Sequence, residues 1–323
     1  MSAEYELIVT DGIPESLVRV PGHRSDGPVL RIGVVQHAWQ PDAEVLAAEL
    51  HAAIGMAAGA GAQLVFLPEI TLLRYPADGV PDPGTRADAL AEPLSGGPTH
   101  ALAARAAAAY RIHVHTSLYE RTGAADGRGF NTAIVVAPSG DVVARTRKTH
   151  IPVTAGYFED HWFAPGPAED AYPVHEIAGL DGLRLGLPTC WDEWFPEVAR
   201  AYGLGGANVL AYPTAIGSEP DHPGVDTEPL WRQVIVAHGI ENGLFMVVPN
   251  RTGTEMRPDG TPGNAFYGSS FVSDPYGRVL VRAPRDRKAV LVTDLDLEQG
   301  RDWIDLFPFF RTRRPDTYGA LGG

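Results

Sequence analysis

Residues 183–197 read LRLGLPTCWDEWFPE. The first seven are largely apolar and read as a buried strand that ends at Cys190. WDEWFP then gives a turn followed by a helix start, with Pro196 in a position where the first helical turn tolerates proline. A buried strand passing directly into a helix is the unit from which α/β folds are made. Cys190 is also the only cysteine in 323 residues. A lone cysteine can be a small buried hydrophobe. At a strand end, where a helix N-terminus and nearby cations lower a thiol pKa, it can equally be a nucleophile.

The same unit recurs on either side. RIGVVQH (31–37) reads as a strand, 41–58 as a helix rich in Ala, Leu and Glu, and QLVFLPE (63–69) as a second buried strand. The segment 71–97 is loop-like, 99–110 is helical, and RIHVHTSLY (111–119) is a strand. A hairpin follows, FNTAIVVA (130–137) and VVARTRK (142–148) around PSGD. The stretch 149–166, THIPVTAGYFEDHWFAPG, is too rich in Pro, Gly and aromatics for a regular element and reads as a long functional loop. Beyond Cys190 come a helix at 196–204, the strand NVLAYP (208–213), a helix at 228–243, the strand LFMVVPN (244–250) and a second hairpin, YGSSFVS with RVLVRAP. Strand, helix, strand and hairpin thus occur once in each half. The order predicts an α/β fold of two similar halves with mixed sheets. Residues 1–30 show no period and read as an N-terminal extension. The aromatic, basic tail 301–323 is expected on a surface, at a subunit interface.

Composition narrows the function. With 26 Lys and Arg against 40 Asp and Glu, the net charge is −14, which disfavours a nucleic-acid partner. No apolar run reaches membrane-spanning length, and the acidic N-terminus lacks a secretory signal pattern. The default compartment is the cytoplasm. One cysteine rules out an internal disulfide. His113 and His115 share a strand face while the other histidines are scattered, and no second cysteine completes a zinc site. No glycine-rich dinucleotide loop follows a strand. Neither a metal nor an organic cofactor is expected.

Two further strand ends carry chemistry. Glu69 closes VFLPE, where it is either a solvated strand end or a carboxylate facing a cleft with its pKa raised towards that of a useful base. Lys148 closes VVARTRK, where it is either one cation of a basic surface run or a charge held at a site. Sites in α/β sheets collect at strand carboxyl ends. Together, Glu69, Lys148 and Cys190 would supply a base, an oxyanion-stabilising cation and a nucleophile.

Taken in order, VFLPE, RKTHIP and CWDEWFPE resemble the motifs of the nitrilase superfamily of carbon–nitrogen hydrolases, and the resemblance runs from Arg31 to Tyr318. It implies a four-layer αββα sandwich, a hydrolase domain over 31–300, and a Glu69–Lys148–Cys190 catalytic triad. GYFEDHWFAPG matches a family loop, so Glu159 corresponds to a second glutamate that positions the lysine and substrate. The backbone N–H of Trp191 would join Lys148 around the oxyanion. The family also implies a homodimer or higher homo-oligomer.

CWDEWFPE, YPTAIGSEP, WRQVIVAHGIEN, VPNRTGTE and FYGSSFVSDPYG look like the branch of N-carbamoyl amide hydrolases that includes N-carbamoylputrescine amidase. The small-molecule substrate is then an N-carbamoyl amine, cleaved to amine, CO2 and ammonia through a covalent Cys190 intermediate. Members that act on N-carbamoyl amino acids place arginines after the cysteine. Here Asp192 and Glu193 stand instead, which favours a cationic or neutral substrate. Arg74, in ITLLRYPADG, departs from the branch; it either holds a carboxylate, as a β-ureidopropionase would need, or pairs with Asp78. Tyr75, Trp191, Trp194 and Phe266 are candidate pocket linings, with core packing the alternative for each. A non-catalytic binding protein on the same fold is the reading from another class, and the intact set of four charged and thiol residues counts against it.

Overall fold

The computed structural model describes residues 4–10, 12–22 and 26–322. In the first half, strands Val29–Gln36, Leu64–Phe66 and His113–Glu120 run parallel, and the helices Ala43–Gly59 and Pro98–Tyr110 are their crossovers. Phe130–Val136 and Val142–Arg147 then continue the sheet antiparallel. The second half repeats the order. Arg184–Gly186, Val209–Ala211 and Phe245–Val248 are parallel, crossed over by helices Pro196–Leu204 and Glu228–Asn242. Phe271–Ser273 and Val279–Arg282 follow antiparallel. The two similar halves expected from the element order are therefore two separate sheets, of seven and six strands.

Strand alternation decides what packs where. Ile32, Val34, Leu64, Phe66, Ala133 and Val135 point inward from the first sheet and share one buried cluster with Leu185, Val209, Ala211, Phe245 and Val247 of the second. The alternate residues Val35, Val65, Val114 and Ile134 face the other way, onto Leu46, Leu50, Ile54 and Ala103 of the first pair of helices. Leu210, Met246 and Val248 do the same against Val198, Tyr202, Trp231 and Ile235 of the second pair. Helix, sheet, sheet and helix form the four layers of an αββα sandwich. Asp42 starts the first helix by accepting from the backbone N–H of Glu44 and Val45 at 3.0 and 3.1 Å.

Several elements differ from the expectations. Strand Ala289–Asp296, unanticipated in the sequence, returns the chain to the first sheet, antiparallel to Val29–Gln36. Within the N-terminal extension, Glu6–Val9 is an edge strand beside it. Its short length and half-exposed pattern leave no period to read. Arg19 then ties the same region down through Asp296 and Asp302, both at 2.5 Å. The loop 149–166 is not wholly irregular, since Val153–Thr154 and Tyr157–Phe158 pair across a turn at Gly156, whose φ is +77°. A hairpin of Thr252–Met256 and Pro262–Tyr267 precedes the expected one. Strands also end earlier than expected. Pro68 and Pro188 have no N–H to extend a ladder, so Glu69 and Cys190 stand in turns just beyond the last paired residues.

The tail packs on its own body. Trp303, on helix Gln299–Leu306, donates through Nε1 to the Ile240 carbonyl at 2.8 Å. Arg200 lies over the Phe310 ring of the tail at 5.2 Å.

The approach of the first helix to its sheet depends on Gly33. A Cβ there would lie 2.7 Å from the Ala57 Cβ. Neither backbone can yield easily, so Gly33→Val is expected to cost about 1–3 kcal/mol by overpacking. Urea unfolding of the variant against the wild type measures it, and an unchanged midpoint would mean that the helix is not seated this closely.

Candidate active site

The turns beyond three strand ends bring Glu69, Lys148 and Cys190 together, and the 149–166 connection adds Glu159. Lys148 is held in place by its backbone, whose N–H donates to the Asn131 carbonyl at 2.8 Å as the hairpin's last rung. Its Nζ donates to Glu69 Oε1 at 2.8 Å and to Glu159 Oε1 and Oε2 at 2.9 and 2.7 Å. All three side chains are buried, with at most 1 % of the surface exposed. Burial alone would favour the neutral amine. Glu159 and Glu69 more than offset it and hold the Lys148 pKa well above its ordinary value, so the ammonium persists. Two carboxylates against one ammonium leave a negative excess. Burial, helped by Glu69 and opposed by Lys148, pushes Glu159 up to about 7. Asn131 Nδ2 donates to Glu69 Oε1 at 2.7 Å, which fixes that oxygen. The other, Oε2, is buried without a hydrogen-bond partner among the described residues, and so remains a free acceptor.

Cys190 is 6 % exposed and has φ +42°, a left-handed conformation that costs a non-glycine residue about 1–3 kcal/mol. Its N–H bonds to the Pro213 carbonyl at 3.1 Å. The expected helix start is different in detail. Cys190–Trp194 is a 3₁₀ turn, and the α-helix begins only at Pro196. Nor is the thiol pKa lowered. Burial, followed by the neighbouring Glu69, pushes it well above the ordinary value, and Lys148 opposes only in part. This favours the neutral thiol. Among the described residues no backbone carbonyl accepts the Trp191 N–H, which leaves it available beside the sulfur.

Asp192 staples two loops. It accepts from the N–H of Thr189 at 3.0 Å, Thr149 at 3.3 Å and His150 at 2.8 Å, and its Oδ1 lies 2.7 Å from His150 Nδ1. The cysteine turn is thereby tied to the residues just after Lys148. Glu193 is three residues past Cys190, and in a 3₁₀ turn side chains three apart eclipse. It is fully buried, with Thr214 Oγ1 3.3 Å from its Oε2 and the buried Trp231 indole as a second donor. Burial raises its pKa well above the ordinary value.

The other sequence candidates separate. Tyr75 is buried and donates to Glu159 Oε1 at 2.7 Å, with its ring edge-on to Tyr157 and Phe266. It supports Glu159 directly. Trp191 and Trp194 are half-buried with ring centroids 6.4 Å apart. Arg74 is engaged elsewhere. It pairs with Asp78 and donates to the Met256 and Tyr75 carbonyls at 2.9 and 3.2 Å. Asn131 and the buried pair Arg251–Glu255 were not singled out in the sequence. Nothing local ties them to the site, because the site residues they hold lie 62 and about 180 residues away.

Comparison with known proteins places this geometry. The carbon–nitrogen hydrolase family profile matches residues 31–305. The chain is 32% identical to a citrullinase of Francisella tularensis over 292 residues, covering 90% of this chain and 98% of that one. It is 35% identical to N-carbamoylputrescine amidase of Arabidopsis thaliana over 233 residues, covering 72% and 75%. Among solved structures, a carbon–nitrogen hydrolase from Helicobacter pylori superposes with a TM-score of 0.80 at 29% identity, over 92% of this chain and 99% of that one.

The raised thiol pKa sets a spectroscopic expectation. Ultraviolet difference spectra between the wild type and Cys190→Ala should show no thiolate band at neutral pH, and one should grow in only above pH 9.0, the ordinary thiol value. A thiolate band already present at pH 7 would mean that Lys148 outweighs burial and Glu69.

Proposed function

Because the chain belongs to the carbon–nitrogen hydrolase family, an enzyme family acting on amides, we propose that it hydrolyses the terminal ureido group of a small substrate whose far end carries a cationic amine, with an N-carbamoyl amine of the N-carbamoylputrescine kind as the first choice. The observation that carries this reading is the charge around the thiol. Glu69, Glu159 and Glu193 all act on Cys190, against the single cation Lys148. Lys148 is consumed by two of those carboxylates, and Arg74 is tied to Asp78. An incoming carboxylate would find no free cation there and would push the pKa values of Glu159 and Glu193 higher still, whereas a cationic amine would draw them towards ionisation and pair with them. This disfavours the β-ureidopropionase reading. The likeness to a citrullinase favours a second reading within the same chemistry, since citrulline also joins a ureido group to a cationic amine, and differs in adding a carboxylate.

The steps follow from the positions. Glu69 Oε2 takes the thiol proton as the Cys190 sulfur attacks the ureido carbon. The tetrahedral oxyanion forms between Lys148 Nζ and the Trp191 N–H. Preorganised donors of this kind each stabilise a transition state by about 3 kcal/mol. Glu69 returns the proton to the departing nitrogen, the C–N bond breaks, and a carbamoyl thioester remains on Cys190. Water, deprotonated by Glu69, then attacks that carbon and releases the sulfur with its proton. The carbamate produced decomposes to CO2 and ammonia. No step needs a metal or organic cofactor.

The reading extends to a cytoplasmic enzyme that self-associates. No helix among the described residues is long and apolar enough to cross a membrane. Leu306 and Phe307 of the tail, and Leu204, remain exposed, which suits this face to a subunit contact.

Ammonia release from N-carbamoylputrescine, citrulline, N-carbamoyl-β-alanine and simple aliphatic amides tests the substrate class. The first should be turned over best and the carboxylate-only N-carbamoyl-β-alanine worst; the reverse order overturns the charge argument. On the preferred substrate, Cys190→Ala should be inactive. Lys148→Met should lose about 10²–10³ in kcat, as for loss of an oxyanion donor.

A further inference from the structure

We propose that Arg251 is the positioning residue for the general base, holding the turn 69–75 so that Glu69 and Tyr75 both reach the Lys148–Glu159 pair. Arg251 is fully buried, and among the described residues only Trp231 is a larger side chain so deeply enclosed. It touches none of the four catalytic side chains. Its donors instead converge on backbone. Nε and NH2 donate to the Glu69 carbonyl at 3.1 and 2.9 Å, and NH2 also reaches the carbonyls of Ile70 and Leu73, the latter at 2.8 Å. NH1 pairs with Glu255.

Three carbonyls aimed at one point repel one another unless a cation stands there. A planar guanidinium supplies five donors in a fixed fork, which a point-charge lysine does not. The turn needs such a clamp, because Ile70, a β-branched residue, has φ +46°. The opposite side is pinned by the strand His113–Glu120, where Ser117 Oγ accepts from the Ile70 N–H at 3.0 Å and the Ser117 carbonyl accepts from the Thr71 N–H at 2.8 Å. Arg251 closes the other side. Glu255 extends the clamp by accepting the Tyr75 N–H at 2.8 Å, and the Tyr75 hydroxyl in turn holds Glu159. One buried ion pair on the hairpin after Asn250 thus orients both carboxylates that flank Lys148.

This inference rests on Glu69 being the base, and the test separates the two. The rate of Cys190 alkylation by iodoacetamide at neutral pH, read by intact mass, needs no substrate and reports how well Glu69 activates the neutral thiol. Glu69→Gln should slow it strongly. Arg251→Lys should slow it about 10–100-fold, the usual range for a residue that orients a catalytic ligand, and should move the pH at which alkylation turns on. Leu50→Ala, a core variant in the distant first helix, should lower the melting temperature yet alkylate at the wild-type rate. If Arg251→Lys does not fold, Glu255→Gln removes the anchoring charge at nearly constant volume and should give a smaller slowing in the same direction. Wild-type alkylation in Glu69→Gln overturns the base assignment and this proposal with it. Slow alkylation in Glu69→Gln but a wild-type rate and pH profile in folded Arg251→Lys or Glu255→Gln overturns the positioning role alone.

Discussion

A lysine ammonium without solvent exposure, held between the carboxylates of Glu69 and Glu159, is the constraint to which the rest of the structure answers. A charge so buried is tolerable only while its partners are in place, and removing one partner of such a pair typically costs about 3–5 kcal/mol. Each of the three therefore has its own support. Lys148 is fixed by a ladder bond to Asn131, Glu69 by the Asn131 amide, and Glu159 by the Tyr75 hydroxyl. These supports come from different strands and loops, so the ion cluster holds only when the first sheet is fully assembled. Burial also shapes the chemistry. With the thiol pKa raised and an unpartnered Glu69 oxygen nearby, proton transfer at the moment of attack is a more economical path than a standing thiolate.

The sandwich explains why the site lies where it does. Each half brings parallel strands to a common end, and the inward faces of the two sheets share one apolar cluster. Glu69 and Lys148 leave the first sheet and Cys190 leaves the second. The reacting atoms are thus set by how two sheets pack on each other and not by either sheet alone. Asp192 makes that relation rigid, since it accepts bonds from Thr149 and His150 next to the lysine and from Thr189 next to the cysteine. A small shift between the sheets would have to break this staple before it could separate nucleophile from cation.

Much of this was legible in the sequence, and for physical reasons. Glu69 closes an apolar run and Cys190 is the single thiol, while Lys148 ends a basic stretch; the three motifs taken in order, more than any one of them, joined these residues. The order of strands, helices and hairpins announced two similar halves because that pattern is local. What escaped notice was non-local or weakly patterned. Strand Ala289–Asp296 is mixed in polarity at its end, and its place depends on a partner more than 250 residues earlier. Edge strand Glu6–Val9 has too little burial to show a period. The thiol's pKa was expected to follow a helix N-terminus, but the segment after Cys190 makes a 3₁₀ turn, and burial with the Glu69 carboxylate outweighs the Lys148 ammonium. Arg74 illustrates the same limit. Two readings were open in the sequence, and its position beside Asp78 and the Met256 carbonyl accounts for its donors without a substrate.

The charge balance around the thiol carries a further consequence for selectivity. Glu193 eclipses Cys190 in the 3₁₀ turn and is buried, with Trp231 and Thr214 as its donors. A neutral Glu193 offers a proton to a substrate carbonyl, and an ionised one offers an acceptor to an N–H; its raised pKa favours the first state. Binding a cationic group nearby would lower that pKa and favour the second. The same residue can thus respond to the charge of what enters, while a carboxylate would only push its pKa higher still. The selectivity proposed above would therefore follow from three buried carboxyl groups and one lysine around a single sulfur, with no dedicated repulsive side chain at the mouth of the site.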